Sequence, residues 1–407
     1  MKIIFSPCHY VFDDGERGSE LSWAYKIADI IASKNQSSIV VTGFKNLIKE
    51  KKYKIVELQK NKKNVDLGIF NAFKFSLQYF RFTYLAVKKE KFDVLHHVLP
   101  FGIDRTFNLF FLLGDSFKIP KIIGPVQSPL PFYKDNLHDA KVKKENFSHD
   151  IYNRLIVLIL HPLLKFLSTS TLRKADRIIV INEITKKILL SRGIDAKKIV
   201  IIPPGIDCSR FSGNAYMQVV DKDNLELIAV GGLIKRKGFD LIIKAIAEVV
   251  KTNKNIKLRI LGDGPQRKDL ANLVRSLSVE KFVVFEGRLS HREMGGRYKK
   301  SQVFINMSRA EGFATVCLEA MASGLAIISS KVGGFNDAIK NGVNGYLVEQ
   351  EDYMELSKCI KRLLENEHLI NKIGQKARED AVKKYDWQKV IIPQYLKIYR
   401  EVINKKT

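Results

Sequence analysis

The residues of this chain best suited to chemistry lie in its C-terminal half, at the ends of apolar β-branched runs. The run from Leu225 to Val230 enters Gly231-Gly232-Leu233-Ile234-Lys235-Arg236-Lys237-Gly238, and a helical pattern starts at Phe239. Small residues at a strand end let a phosphate reach the backbone at Gly232, and Lys235, Arg236 and Lys237 supply charge to neutralise it. A plain βα turn with a basic loop has the same composition, so this stretch alone leaves both readings open. Two further strand ends repeat the glycine: Leu261-Gly262-Asp263-Gly264-Pro265 and Glu286-Gly287-Arg288. Glycine-ended strands in series form the rim at which a doubly wound sheet binds nucleotides.

The segment Glu311-Gly312-Phe313-Ala314-Thr315-Val316-Cys317-Leu318-Glu319 adds acids to the same rim. A helix should begin near Ala314 or Thr315, so that amides at Ala314, Thr315 and Val316 face the rim. Free N–H groups and the helix dipole suit a diphosphate. Glu311, just outside the helix, and Glu319, about one turn in, would bracket it and hold hydroxyls. Two exposed glutamates at this spacing are common by chance; position after three glycine-ended strands makes the pair specific.

Strands must carry these turns, and both halves alternate short β-branched runs with longer helical patterns, the signature of α/β parallel sheets. The first half offers Lys2–Ser6, Ser38–Gly43, Lys54–Leu58, Phe92–His97, Lys121–Val126, Asp176–Ile181 and Lys198–Pro203; the second offers Leu225–Gly231, Lys257–Gly262, Phe282–Gly287, Val303–Met307, Ala326–Ser330 and Gly345–Val348. Each series suffices for a Rossmann-like, doubly wound sheet. The turn Pro203-Pro204-Gly205 sets a boundary. Expected domains are thus 1–205, 206–385 and a tail, 386–407, able to pack back on the first domain.

The chain of 407 residues is long enough for two cores, and 45% hydrophobic with 28% charged residues is a globular balance. Its four cysteines show neither disulfide nor zinc spacing, which fits a reducing, cytoplasmic setting. The start Met1-Lys2-Ile3-Ile4-Phe5-Ser6-Pro7 lacks a secretory core, and the longest apolar run, Leu155 to Leu167, is too short to span a bilayer. Asp221-Lys222-Asp223 is the sole Asp-x-Asp, in a linker away from any rim, so no metal site is expected. A net charge of +26 points to a polyanionic neighbour: nucleic acid, anionic membrane or phosphorylated substrate. Basic residues are spread along the chain without a nucleic-acid motif, which argues against nucleic acid. After the basic run Lys45, Lys49, Lys51, Lys52, Lys54, Lys60, Lys62 and Lys63 comes an aromatic helical pattern. Its spacing turns Phe70, Phe73, Leu77, Phe80 and Tyr84 to the core. It leaves Phe75, Tyr79 and Phe82, with Lys74, Arg81 and Lys88, either for peripheral contact with an anionic membrane or for burial of both faces with the lysines merely solvated.

In order and position, the C-terminal turns resemble those of glycosyltransferase family 4, the retaining enzymes of GT-B fold. The resemblance implies two Rossmann-like domains facing a central cleft, with a nucleoside diphosphate sugar as donor substrate and no cofactor. It makes Lys237 the diphosphate-binding lysine and Glu286-Gly287-Arg288 the base contact. It sets Glu311 near the donor sugar and Glu319 on the ribose. Gly232 stands where the family usually has arginine, a cation that Lys235 or Arg236 would replace, and Ala314 where it usually has glycine. In the first half, Arg17-Gly18-Ser19-Glu20 keeps one glycine of the family's Gly-Gly-x-Glu turn. Asp93-Val94-Leu95-His96-His97 matches its acceptor-side strand, with His97 as the catalytic histidine and Val98 at the family's usual position. The implied activity is metal-independent transfer of a hexose to a glycan or lipid-linked acceptor, as in cell-surface polysaccharide or glycolipid synthesis. A sugar-nucleotide epimerase would use the same donor pocket without an acceptor, and a basic nucleic-acid-binding module would use neither.

Overall fold

A computed structural model of the chain describes residues 1–8, 10–12, 20–34, 37–42, 44–46, 50–58, 69–98, 103, 107–127, 162–211, 225–313 and 315–405. Gly18, Ala314, Asp221 to Asp223, Lys49, Lys60, Lys62 and Lys63 lie outside the described residues. The described chain divides into two compact units, one holding the residues up to 203 with 392–405, the other those from 204 to 391.

The first unit runs β1 (Ile3–Cys8), β2 (Tyr10–Phe12), α1 (Glu20–Lys34), β3 (Ile39–Thr42), β4 (Phe44–Asn46), β5 (Lys54–Glu57), α2 (Ile69–Lys89), β6 (Val94–Val98), α3 (Leu109–Leu113), β7 (Lys121–Val126), α4 (162–174), β8 (Arg177–Val180), α5 (Glu183–Ser191) and β9 (Ile199–Ile201). Seven of these strands form a parallel sheet ordered β5-β3-β1-β6-β7-β8-β9. The central strands β1, β6 and β7 are buried at every position, as parallel strands covered on both faces must be. Helix α13 (Ile392–Asn404) completes this unit. Tyr399 on it donates its hydroxyl to His96 Nδ1 at 2.7 Å, while His96 Nε2 donates to the Gly124 carbonyl at 2.9 Å. Burial pushes the His96 pKa down to about 3, so the ring stays neutral with its hydrogen on Nε2.

The second unit runs β10 (Leu225–Val230), α6 (Phe239–Val249), β11 (Ile256–Leu261), α7 (Arg267–Ser276), β12 (Val283–Gly287), α8 (His291–Lys299), β13 (Val303–Asn306), α9 (Thr315–Ala322), β14 (Ala326–Ser330), α10 (Phe335–Ala338), β15 (Tyr346–Val348), α11 (Tyr353–Leu364) and α12 (Glu367–Tyr385). Its strands are all parallel, in the order β12-β11-β10-β13-β14-β15. One face of β10, β11 and β13 packs with α6, α7 and α11 through Leu227, Ile242, Ile246, Leu258, Ile305 and Ile360. Each of those helices presents its apolar residues at three- and four-residue spacing.

Two details differ from the periodic reading. The strands β2 and β4 pair only with each other, as a side pair too short for a pattern of alternation to show. Helix α2 is also rotated from its expected setting. Tyr79 is 3% exposed and Phe82 packs against the core, whereas Leu77 and Tyr84 are 54% and 38% exposed. With apolar residues on almost every face of α2, spacing alone does not choose the buried one. A polar contact does: Thr83 meets Ser6 of β1 at 2.7 Å between hydroxyls in the interior, which turns the 79, 83 and 86 side to the sheet.

Candidate functional site

In the second sheet the strand order reverses between β10 and β13, because β10 leads outward to β11 and β12 while β13 leads the other way. The loops leaving two such strands diverge and open a crevice at their carboxyl ends. Here the loop after β10 carries Arg236 and Lys237, and the loop after β13 carries Glu311. Both cations reach that one carboxylate: Lys237 Nζ donates to Glu311 Oε2, and Arg236 lies 3.4 Å from the same oxygen while donating to the Ala310 carbonyl at 2.7 Å. Ser308 Oγ stands 3.5 Å from it. Glu311 is buried, which by itself raises a carboxyl pKa, yet the charges of Lys237 and Arg236 outweigh burial and hold it below its ordinary value. An ionised carboxylate that shares its cations can accept hydroxyl hydrogen bonds beside a phosphate.

Backbone contact brings the loops this close. Gly238 has φ of +66°, and a Cβ there would lie 1.9 Å from the Met307 carbonyl oxygen, so only glycine fits where the two loops cross. Gly262, at φ +134°, likewise presses on the Gly231 carbonyl, which a Cβ would approach to 1.8 Å. Its amide donates to Gly287 at 2.7 Å, and the Gly231 amide donates to Leu261 at 3.0 Å. The three glycine-ended strands β10, β11 and β12 are thus joined at their ends. Gly232 is different, since a Cβ there meets nothing within 4 Å.

Glu319 lies within α9, two turns from Glu311 in sequence, and has other neighbours. Tyr298 of α8 donates its hydroxyl to Glu319 Oε2 at 3.1 Å, and His291 Nδ1 is 3.8 Å from Oε1. Burial pushes the Glu319 carboxyl up to about 7, against the Tyr298 hydrogen bond and the charge of Arg210. Thr315 and Val316 open α9, half-buried, and Arg288 is exposed beyond β12. Among the described residues there is no group of three or more His, Cys, Asp or Glu able to hold a metal ion.

His97 belongs to the first unit. It is fully buried at the end of β6, with Asn108 Nδ2 3.4 Å from its Nδ1 and Phe111 edge-on to its ring. Five residues around Glu311 and Glu319 escaped the sequence reading: Arg210, His291, Tyr298, Ser308 and Arg309. Arg309 pairs with Asp240 and Glu351, far off in sequence, so no local spacing points to it.

A family model described as glycosyl transferases group 1 matches residues 217–380, and one described as Glycosyltransferase Family 4 matches residues 126–210. Over these two stretches the chain is similar to glycosyltransferases of both models. The chain is similar to N-acetyl-alpha-D-glucosaminyl L-malate synthase of Bacillus anthracis, with 33% identity over 177 residues, 44% of this chain and 45% of that protein. The chain spans about half the length of the curated relatives it matches. Its two parallel-sheet units have the GT-B fold. Among solved structures, sucrose-phosphate synthase from Thermosynechococcus elongatus superposes with a TM-score of 0.71 at 18% identity, over 99% of both chains. HepE of Anabaena, solved in complex with UDP, superposes with a TM-score of 0.65 at 16% identity, over 100% of both. No helix among the described residues is long and apolar enough to cross a membrane.

Proposed function

We propose that this chain is a family-4 glycosyltransferase that transfers a sugar from a nucleoside diphosphate sugar to an acceptor hydroxyl, with retention at the anomeric carbon and without a metal ion. The observation that carries the reading is the convergence of Lys237 and Arg236 on Glu311 at the reversal of strand order in the second sheet. Transfer breaks the bond from the anomeric carbon to the diphosphate, whose charge grows as it leaves. Lys237, Arg236 and the amides at the start of α9 meet that charge without reorganising. Glu311 holds a sugar hydroxyl and Glu319 the ribose diol. The acceptor oxygen bonds to the anomeric carbon on the face the diphosphate leaves, and its proton passes to the departing phosphate. Glu311, paired with two cations, is a holder of hydroxyls in this scheme, not a nucleophile.

A glycan or lipid-linked acceptor fits a chain that docks on an anionic membrane. The outer stripe of α2 supports this: Lys74, Leu77, Arg81, Tyr84, Leu85 and Lys88 are all exposed, and the helix has no acidic residue. Apolar side chains interleaved with cations suit the boundary between headgroups and acyl chains. The face differs from the Phe75, Tyr79 and Phe82 expectation, because Tyr79 and Phe82 pack inward.

The reading is tested by incubating the chain with a panel of UDP-, GDP- and dTDP-sugars, with and without glycan or lipid-linked acceptors, in excess EDTA. Acceptor-dependent release of a nucleoside diphosphate, with the donor's anomeric configuration kept in the product by NMR, is expected. Turnover that needs no acceptor indicates epimerisation or hydrolysis, and turnover lost with chelator and restored by magnesium or manganese contradicts metal independence.

A further inference from the structure

Arg309 stands two residues before Glu311 and is itself almost buried, with a side-chain exposure of 8%. Its guanidinium donates to both oxygens of Asp240 at 2.9 and 2.8 Å and to both oxygens of Glu351 at 2.6 and 3.0 Å. It also donates to the Lys235 carbonyl at 2.6 Å, and the Arg309 amide donates to the Arg236 carbonyl at 2.7 Å. Two successive carbonyls of the loop bearing Arg236 and Lys237 are therefore held by one residue of the loop bearing Glu311. Asp240 lies in the first turn of α6, directly after that cation loop, and Glu351 precedes α11 at φ +63°. The left-handed region is costly for a residue other than glycine, and a bidentate pair with Arg309 offsets that cost.

We propose that Arg309 is a positioning residue for the transfer reaction, fixing the Lys235–Lys237 loop against Glu311 so that Lys237 meets the charge that develops on the leaving diphosphate. The inference rests on the transfer reading above. Its basis is geometric. A planar fork with five donors satisfies two carboxylates and a carbonyl at once, whereas an ammonium in its place is a point charge that cannot span them. The loops already touch where Gly238 lies under the Met307 carbonyl, so a loop released at Lys235 and Arg236 shifts Lys237 directly. Displacement of a catalytic cation by a fraction of an ångström lowers turnover more than ground-state binding, because the charge it meets is largest in the transition state.

The test compares wild type, Arg309→Lys, Lys237→Ala and the double variant, with Asp240→Asn as a second lesion should Arg309→Lys fail to fold. Turnover is measured on the sugar nucleotide that wild type uses, and diphosphate affinity with UDP and GDP. Arg309→Lys should lower kcat by about ten-fold or more with donor KM within about three-fold. Placed on Lys237→Ala it should cost less than about a further two-fold, since both lesions remove one function. Asp240→Asn should act in the same direction and be equally non-additive. Unchanged kcat, or losses that multiply in the double variant, would overturn the role, because a merely structural ion pair weakens the protein whether or not Lys237 is present. If wild type binds UDP or GDP but turns over no sugar nucleotide, the transfer reading fails, and the same cycle in diphosphate affinity decides the Arg309 role.

Discussion

Glu311 and Glu319 put the chemistry at two separate carboxylates with opposite tuning. Glu311 is kept ionised by Lys237 and Arg236, whereas burial leaves Glu319 titrating near 7 with Tyr298, His291 and Arg210 as its charged or polar neighbours. Lys237→Ala should lower kcat by about 10²–10³, the cost of removing one preorganised donor to a developing charge, about 2.7–4 kcal/mol, with a smaller change in KM. Steady-state kinetics check this, and a raised KM at normal kcat contradicts it. Glu319 supplies a pH dependence whose sign follows from its raised value. The folded chain binds this proton more tightly than the unfolded one, whose carboxyl titrates at its ordinary 4.5. Its contribution to stability is thus complete below that value and is lost as pH rises through about 7. Ribose hydroxyls donate to the ionised form, so donor affinity moves the other way and should rise by about ten-fold from pH ~6 to ~8. Glu319→Gln should flatten that slope; a variant that retains it would show that Glu319 does not hold the ribose. Both glutamates were visible in the sequence by type and spacing. Their difference was not, because it depends on Tyr298, Arg236 and Lys237, which only folding brings near them.

At the scale of elements, the strand-by-strand pattern was legible because parallel strands buried on both faces read as short β-branched runs ending in glycine or proline. β7 and β14 were read residue for residue, and the second sheet's remaining strands to within a residue or so at either end. Helix α2 was not legible to the same depth. Phe80 packs inward as its spacing implies, but Leu77 and Tyr84, grouped with it by the same spacing, turn outward. The Ser6–Thr83 contact that orients the helix joins residues 77 apart. That rotation changes which residues should touch a membrane. Vesicles with increasing phosphatidylglycerol should sediment increasing amounts of the chain, less so at high salt, since each cation near an anionic surface contributes about 1 kcal/mol. Arg81→Glu with Lys88→Glu, or Leu77→Asp with Leu85→Asp, should each abolish most of that binding, as judged against unchanged circular dichroism. Binding that ignores lipid charge, or that survives both pairs of substitutions, removes α2 as the docking helix.

On the scale of the molecule, two sheets of the same doubly wound type carry unlike equipment. In the first, the end of β6 offers His96 and His97, both buried and held by Tyr399, Gly124 and Asn108. In the second, the ends of β10 and β13 offer cations and close-set glycines suited to a diphosphate, beside a carboxylate suited to hydroxyls. The second unit is therefore where a nucleoside diphosphate should bind, and calorimetric titration of the chain with UDP, GDP and dTDP at neutral pH examines this without any knowledge of sugar or acceptor. Saturable, sub-millimolar binding of at least one of the three is expected, weakened when Glu319 becomes alanine and unaffected by EDTA. No heat of binding from any of them at millimolar concentration, or binding indifferent to Glu319, would contradict the assignment of the site.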